Sequence, residues 1–312
     1  MSQIAFPLSH SALVEIPLCY TVESTFGTKK TSSPVYTAVK VVSQVTPRID
    51  NQEIDVRQLG SHLKYGHQSS GHRYGATLNL HPFDLPFLQY GSQPPNYTTP
   101  SGTSAESLQF LVKHKQAQGT AGMNSYFVFY LGCKINTLQI SVSSGGLVEV
   151  TAEIIAREIT VPSTSSGLTT PTLPAFSDYS DPVLSNVDAG NKPLTINGTA
   201  YAIDDFNITW NNNLIQDSFI GSGLIDALTV GAIEISGSFM TPAGQDLLLE
   251  TATHDFPQNG VTAVLTVKTG TMIITMTGFK LMSDDDPWSE GPTQTKKHNY
   301  SFVCTGASIT AS

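Results

Sequence analysis

The chain has 312 residues, enough for two domains of ordinary size, and only 13% of them are charged, about half the usual share. The net charge of −9 argues against a protein that grips nucleic acid through clustered Lys and Arg. No apolar run approaches the ~18 residues of a membrane helix, no secretory signal is expected, and the widely spaced Cys19, Cys133 and Cys304 read as reduced core residues of a protein assembled in the cytoplasm.

After an N-terminal arm, residues 1–34, the first unusual segment is the polar stretch Arg48 to Arg73, which reads as a long loop between two strands. Ala76, Leu78 and Leu80 then alternate with polar residues up to His81-Pro82, predicting a strand. Phe87, Leu88 and Tyr90 form a short apolar segment that reads as a helix, and Gln93 to Gly102 reads as a loop insertion. Leu108, Phe110 and Val112 predict the next strand. Beyond Gly132-Cys133-Lys134-Ile135-Asn136, two alternating runs flank Ser143-Ser144-Gly145-Gly146. Leu138, Ile140 and Val142 precede the turn, and Val148, Val150, Ala152 and Ile154 follow it. That is a hairpin with one buried and one wet face. The Ser-, Thr- and Pro-rich residues 162–193 lack periodicity and read as a linker.

A weaker copy of this frame follows. Gly278-Phe279-Lys280-Leu281-Met282 stands at an offset of 146 from Gly132 (132 to 278), and Gly291 keeps that offset from Gly145. Ile233 to Met240, Thr241-Pro242 and the apolar Asp246 to Leu249 answer the Ala76 strand and its helix at an offset of 160 (82 to 242). Ala263, Leu265 and Val267 answer Leu108, Phe110 and Val112. The expected fold is therefore mainly β, with two tandem sandwich or barrel domains, each with a short flanking helix. The first spans residues 1–161, and the second spans 194–312.

The halves differ in charge. Residues 1–161 hold 10 acidic and 11 basic side chains, whereas 162–312 hold 15 and 5, giving +1 against −10. Complementary halves suit docking of one copy on another within a ring or between stacked rings; drift between exposed surfaces explains them as well.

The candidate contact residues are Arg48, Arg57, His62, His67, His72 and Arg73 in the first long loop, with Asp217 and Asp226 in its acidic counterpart from Asn211 to Gly231. His62, His67 and His72 recur every five residues, but no cysteine or fixed carboxylate completes a zinc set, so no metal is expected. Asp284, Asp285 and Asp286 read as a solvated hairpin tip rather than a calcium site. Glu149 and Glu153 share a polar face, but four residues of strand separate them by ~13 Å. Glycosidase chemistry needs ~5 Å or ~6.5–9.5 Å. No GxSxG, Walker A, GxGxxG or HExxH motif occurs. Neither catalysis nor a cofactor is expected.

The opening Val22-Glu23-Ser24-Thr25-Phe26-Gly27-Thr28, together with Gly132 to Leu138 and Ser143 to Thr151, resembles the tail tube proteins of tailed bacterial and archaeal viruses. The resemblance implies a structural virion protein whose β domains form rings that stack into a hollow tube for genome ejection. Two fused domains imply homotrimeric rings of pseudo-sixfold shape. Other implied partners are a tape-measure protein, a tail terminator and tail-tip or baseplate proteins, with DNA passing unbound and no membrane involved. The implied location is the virion tail. On this reading Glu149, Glu153, Asp284, Asp285 and Asp286 are possible lumen-facing acids that repel phosphates. The alternative is a tail-tip, baseplate or receptor-binding β-module, with Tyr97, Trp210 and Trp288 as its aromatic contacts.

Overall fold

Alternation of apolar and polar side chains makes most of the described segments strands. The computed structural model describes residues 18–29, 36–39, 42–57, 64–81, 85–92, 106–115, 125–160, 192–217, 224–242, 260–267, 272–285 and 297–310. The first half contributes β1 (Leu18–Glu23), β2 (Thr37–Ala38), β3 (Val42–Arg57), β4 (Lys64–Leu80), helix α1 (Leu85–Ser92), β5 (Ser107–Lys115), β6 (Ser125–Ser143), β7 (Glu149–Ala156) and β8 (Glu158–Thr160). The second contributes β9 (Leu194–Ile196), β10 (Thr199–Tyr201), β11 (Asp205–Asn211), β12 (Ile215–Asp217), β13 (Ala227–Thr229), β14 (Glu234–Thr241), β15 (Val261–Val267), β16 (Met272–Asp285), β17 (His298–Cys304) and β18 (Gly306–Thr310). The fold is mainly β, and all pairings are antiparallel.

Eight strands pair into a central sheet in the order β3-β4-β7-β6-β11-β14-β17-β16. It crosses from one half to the other where β6 pairs with β11, from Thr137 opposite Asn211 to Ser143 opposite Asp205. Each half adds a smaller sheet, with β2, β1 and β5 beside the start of β6 in the first, and β10, β9 and β15 beside the start of β16 in the second. Strands β6 and β16 each serve two sheets, and a glycine in the left-handed region marks each crossing, Gly132 at φ 62° and Gly278 at φ 59°. A side chain is disfavoured there by the clash of Cβ with the backbone.

The pairings repeat between the halves. Cys133 lies opposite Leu108, and Phe279, 146 positions later (133 to 279), lies opposite Val261. Both ladders then bulge before Phe110 meets Tyr130 and Ala263 meets Met276. The bulge between Ile135 and Thr137 in β6 recurs between Leu281 and Ser283 in β16. Strand β3 corresponds to β11 and β4 to β14 at an offset of 161 (48 to 209), not 160, because Thr46 faces Thr77 as Asn207 faces Ser238. Likewise Leu108 corresponds to Val261, two positions before Ala263. Apolar periodicity alone does not fix register, since a shift of two residues leaves every side chain on its face.

One apolar cluster fills the space between the central sheet and the smaller ones. Tyr20, Phe87 and Phe110 pack together with ring centroids 5.8–6.3 Å apart. In the second half, Phe279 and Phe302 lie 4.9 Å apart, and Phe239 and Tyr300 5.1 Å. Tyr20 belongs to β1, so the expected arm 1–34 contains a core strand at residues 18–23. Helix α1 sits where the halves meet. The Gln89 side-chain amide donates to the carbonyl of Ile309 at 3.1 Å, and that of Asn212 donates to the carbonyls of Gly91 and Ile135 at 3.0 and 2.8 Å. The helix expected near Asp246 to Leu249 lies outside the described residues.

Candidate assembly surface

Two predicted loops are strands. From Val42 opposite Leu80 to Arg57 opposite Lys64, β3 and β4 form one continuous hairpin arm, so the segment from Arg48 to Arg73 is paired along most of its length. The sequence hid this because a strand pair held by its backbone ladder needs no apolar alternation. Arg48 lies opposite Gly75, Arg73 opposite Asp50, His72 opposite Asn51, His67 opposite Asp55 and Arg57 opposite Lys64. His62 lies outside the described residues. The counterpart segment is also a hairpin, with Gln216 of β12 opposite Leu228 of β13, as Asp55 is opposite His67. Asp217 lies opposite Ala227, and the Asp226 amide donates to the Asp217 carbonyl at 2.8 Å.

The roots of the two arms meet. Arg48, Arg73, Glu153, Asn136, Leu214 and Gln216 line a polar hollow of about 260 Å³ between them. There Glu153 accepts from the Asn136 amide at 3.1 Å and the Thr137 hydroxyl at 3.4 Å, with Arg48 3.7 Å away. The Lys134 ammonium donates to the Leu228 carbonyl at 2.7 Å, tying the second arm to the body; burial lowers its pKa, and the Glu106 carboxylate opposes that shift.

Opposite the core, the central sheet presents a face made mainly of neutral polar residues. One row across the strands reads Gln44, Asn79, Thr151, Gln139, Thr209 and Ser236 and ends on Val303 and Lys280; a second reads Glu149, Ser141, Asn207, Ser238 and Ser301. All are exposed or half-buried, and cross-strand bonds join them, with Asn207 donating to Ser141 at 2.9 Å and Thr151 to Asn79 at 3.1 Å. Glu149 and Glu153 sit on this face. Asp284 and Asp285 continue β16 opposite Tyr300 and Asn299, so they are not a turn as expected, and Asp286 lies outside the described residues.

The quoted motifs meet at the sheet crossing. The buried Glu23 carboxylate accepts from the Gly27 amide at 3.0 Å, the Gly132 amide at 3.1 Å and the Ser107 hydroxyl. Phe26 lies beside it under the Lys134 and Arg157 cations, 5.7 and 5.9 Å from its ring centroid. The sequence singled out the VESTFG and GCKIN segments but not this carboxylate, which links them. Trp210, an aromatic candidate for the alternative reading, is fully buried and donates to the Ala307 carbonyl at 3.4 Å. Tyr97 and Trp288 lie outside the described residues.

Among the described residues no three His, Cys, Asp or Glu side chains gather as a metal would require, and no helix is long and apolar enough to cross a membrane. Burial raises the thiol pKa of Cys19 and Cys304 to about 12 and that of Cys133 well above its ordinary value. The three cysteines are free, and their thiols are held protonated.

A sheet that runs through both halves, dry on one side and mainly neutral and polar on the other, defines a mainly β protein with a broad exposed sheet face. The profile of the phage tail tube protein family matches residues 15–295, most of the chain, and the protein belongs to that family. No individual curated protein matches significantly. Membership makes it a structural component of a virion tail, which assembles with other tail proteins.

Proposed function

We propose that this protein polymerises into stacked rings that form the hollow tail tube, with the neutral polar face of the central sheet lining the lumen. The observation that carries this reading is that face, continuous from β4 through β7, β6, β11 and β14 to β17. From β4 to β14 the two rows offer phosphate only Ser, Thr, Asn and Gln, Glu149 and Glu153 repel it, and Lys280 stands alone at the β16 end of the first row, so a duplex slides without adhering. The matching ladders favour two duplicated domains, residues 1–161 and 194–312 joined by a linker at 162–193, and three such chains give a pseudo-sixfold ring. The hairpin arms project beyond the sheet and reach the adjacent ring. The same reading has the tube assembled in the host cytoplasm on a tape-measure protein and closed by terminator and tail-tip proteins.

Negative-stain electron microscopy with the mass in solution tests this reading. Stacked rings with a central hole are expected, three copies per ring. A variant whose arm is cut back by replacing residues 54–68 with Asn-Gly keeps its body and loses stacking. Persistent monomers, even with a tail initiator complex added, refute the tube reading and favour a tail-tip or receptor-binding module.

A further inference from the structure

We propose that Lys134 and Asn136, the two polar side chains of the GCKIN segment, form a clamp that sets the pose of the second arm, β12–β13, and that rings stack only with the arm in that pose. The need for the pose in stacking rests on the tube reading; the clamp itself does not. The two arms are held in different ways. The first extends the central sheet through one ladder, from Val42 opposite Leu80 to Arg57 opposite Lys64. The second is a two-stranded sheet of its own, pairing Ile215 with Thr229, Gln216 with Leu228 and Asp217 with Ala227. A lone two-stranded hairpin is at best marginally stable in water, so its pose has to be fixed from outside.

A bend separates this arm from β11. Asn213 occupies the left-handed region at φ 45°, which asparagine tolerates better than most residues. Its backbone amide donates to the Asn211 side-chain oxygen at 3.2 Å, and its side-chain amide donates to the Ala232 carbonyl at 2.7 Å. On the returning side a Cβ at Gly231 would meet the Asn213 carbonyl oxygen at 2.5 Å, so that position has to lack one. The bend delivers both strands of the arm to the GCKIN segment, with Ile225 and Leu228 buried.

Asn136 takes the outgoing strand. Its side-chain oxygen accepts from the Leu214 amide at 3.0 Å, and its carbonyl accepts from the Asn212 amide at 2.8 Å. Glu153 accepts from the Asn136 side-chain amide at 3.1 Å, which turns the side-chain oxygen toward Leu214. Lys134 takes the returning strand through the Leu228 carbonyl at 2.7 Å. The turn after β1 sets that ammonium: the Phe26 ring centroid lies 5.7 Å from it, and the Phe26 amide donates to the Glu106 carboxylate at 3.0 Å. The two segments that stood out in the sequence, VESTFG and GCKIN, thus converge on one task. The second copy, GFKLM, keeps the lysine as Lys280 but has Met282 where the first has Asn136.

The test is hydrogen exchange of the full chain, read over residues 213–217 and 224–231, beside the yield of pelletable tubes. Lys134→Met keeps the side chain's length and removes its donor and charge; Asn136→Met installs the residue that the second copy has. Exchange of the arm should quicken about tenfold or more in Lys134→Met, which loses a bond from a charged group, and about threefold in Asn136→Met. In both, exchange over residues 138–142 stays at the parental rate, and most of the tubes are lost. Lys280→Met, the same change 146 positions on (134 to 280), leaves the arm's exchange unaltered. Phe26→Leu quickens it in the parent and adds nothing in the Lys134→Met chain, because Phe26 acts through Lys134; equal effects in both backgrounds overturn that link. Parental exchange of the arm in both clamp variants overturns the clamp. A loosened arm with tubes at parental yield overturns its need in stacking. A parent chain that forms no tubes overturns the tube reading, and the exchange rates alone then decide the clamp.

Discussion

Replacing Gly132 with alanine perturbs the crossing that lets β6 serve two sheets. Its φ of 62° costs an L-residue about 1–2 kcal/mol. An added Cβ meets Arg157 Cβ at 2.8 Å, with Gly27 Cα and a Phe26 ring carbon both at 3.2 Å. Those neighbours are backbone, the root of a side chain and a packed ring, so none can yield freely, and overpacking adds about 1–3 kcal/mol. The expected loss is about 2–5 kcal/mol. Gly145, at φ 75° with nothing within 4 Å of its added Cβ, carries only the conformational cost of about 1–2 kcal/mol and serves as the control. Urea unfolding followed by the fluorescence of buried Trp210 reads both. With an m-value near 3 kcal/mol/M, Gly132→Ala lowers the midpoint by about 0.7–1.7 M, and Gly145→Ala by no more than about 0.7 M. Equal shifts for the two variants would refute the close-packing argument, and a Gly132→Ala shift below about 0.2 M would refute the strain argument as well.

Two other outcomes are expected. Glu23→Ala strips the acceptor from the Gly27 and Gly132 amides and the Ser107 hydroxyl; at about 1.5–3 kcal/mol for each of the three bonds to a charged group, the loss is about 4.5 kcal/mol or more. Thermal melting should then fall by about 9 °C or more, and a melt within about 2 °C of the parent contradicts the role. The thiols titrate higher folded than unfolded, so their contribution to stability is complete below the unfolded value of 9.0 and is lost as pH rises toward about 12. The urea midpoint should decline between pH 9 and 11, and at pH 8 a thiol reagent should label Cys19 and Cys133 only after unfolding; rapid native labelling of Cys133 contradicts its placement.

Strands that face a core announced themselves. Leu138, Ile140 and Val142 alternate because one side of β6 is dry, and the offset of 146 was legible because Gly132 and Gly278 both sit where a side chain is disfavoured. The β3–β4 arm left no such trace. Its cross-strand partners include Asp50 with Arg73, Asp55 with His67 and Arg57 with Lys64, polar residues whose pairing depends on backbone groups common to every sequence. Glu23 was hidden for a different reason. A carboxylate at a strand end reads as solvated unless its three donors are known, and two of them, Ser107 and Gly132, lie far along the chain. The junction of β6 with β11 was likewise invisible, because periodicity reports which face is buried and not which strand lies alongside.

The β6–β11 junction joins the two halves within one chain, at the high effective concentration of linked segments, and its facing residues Thr209 and Gln139 need carry no charge. Register there is set by the core instead. A slip of one residue would turn the polar face toward the core, and the buried Leu138, Ile140 and Val142 of β6, opposite the buried Trp210, Ile208 and Phe206 of β11, reject it. The same side chains that made β6 legible as a half-buried strand therefore also fix how the second half docks on the first.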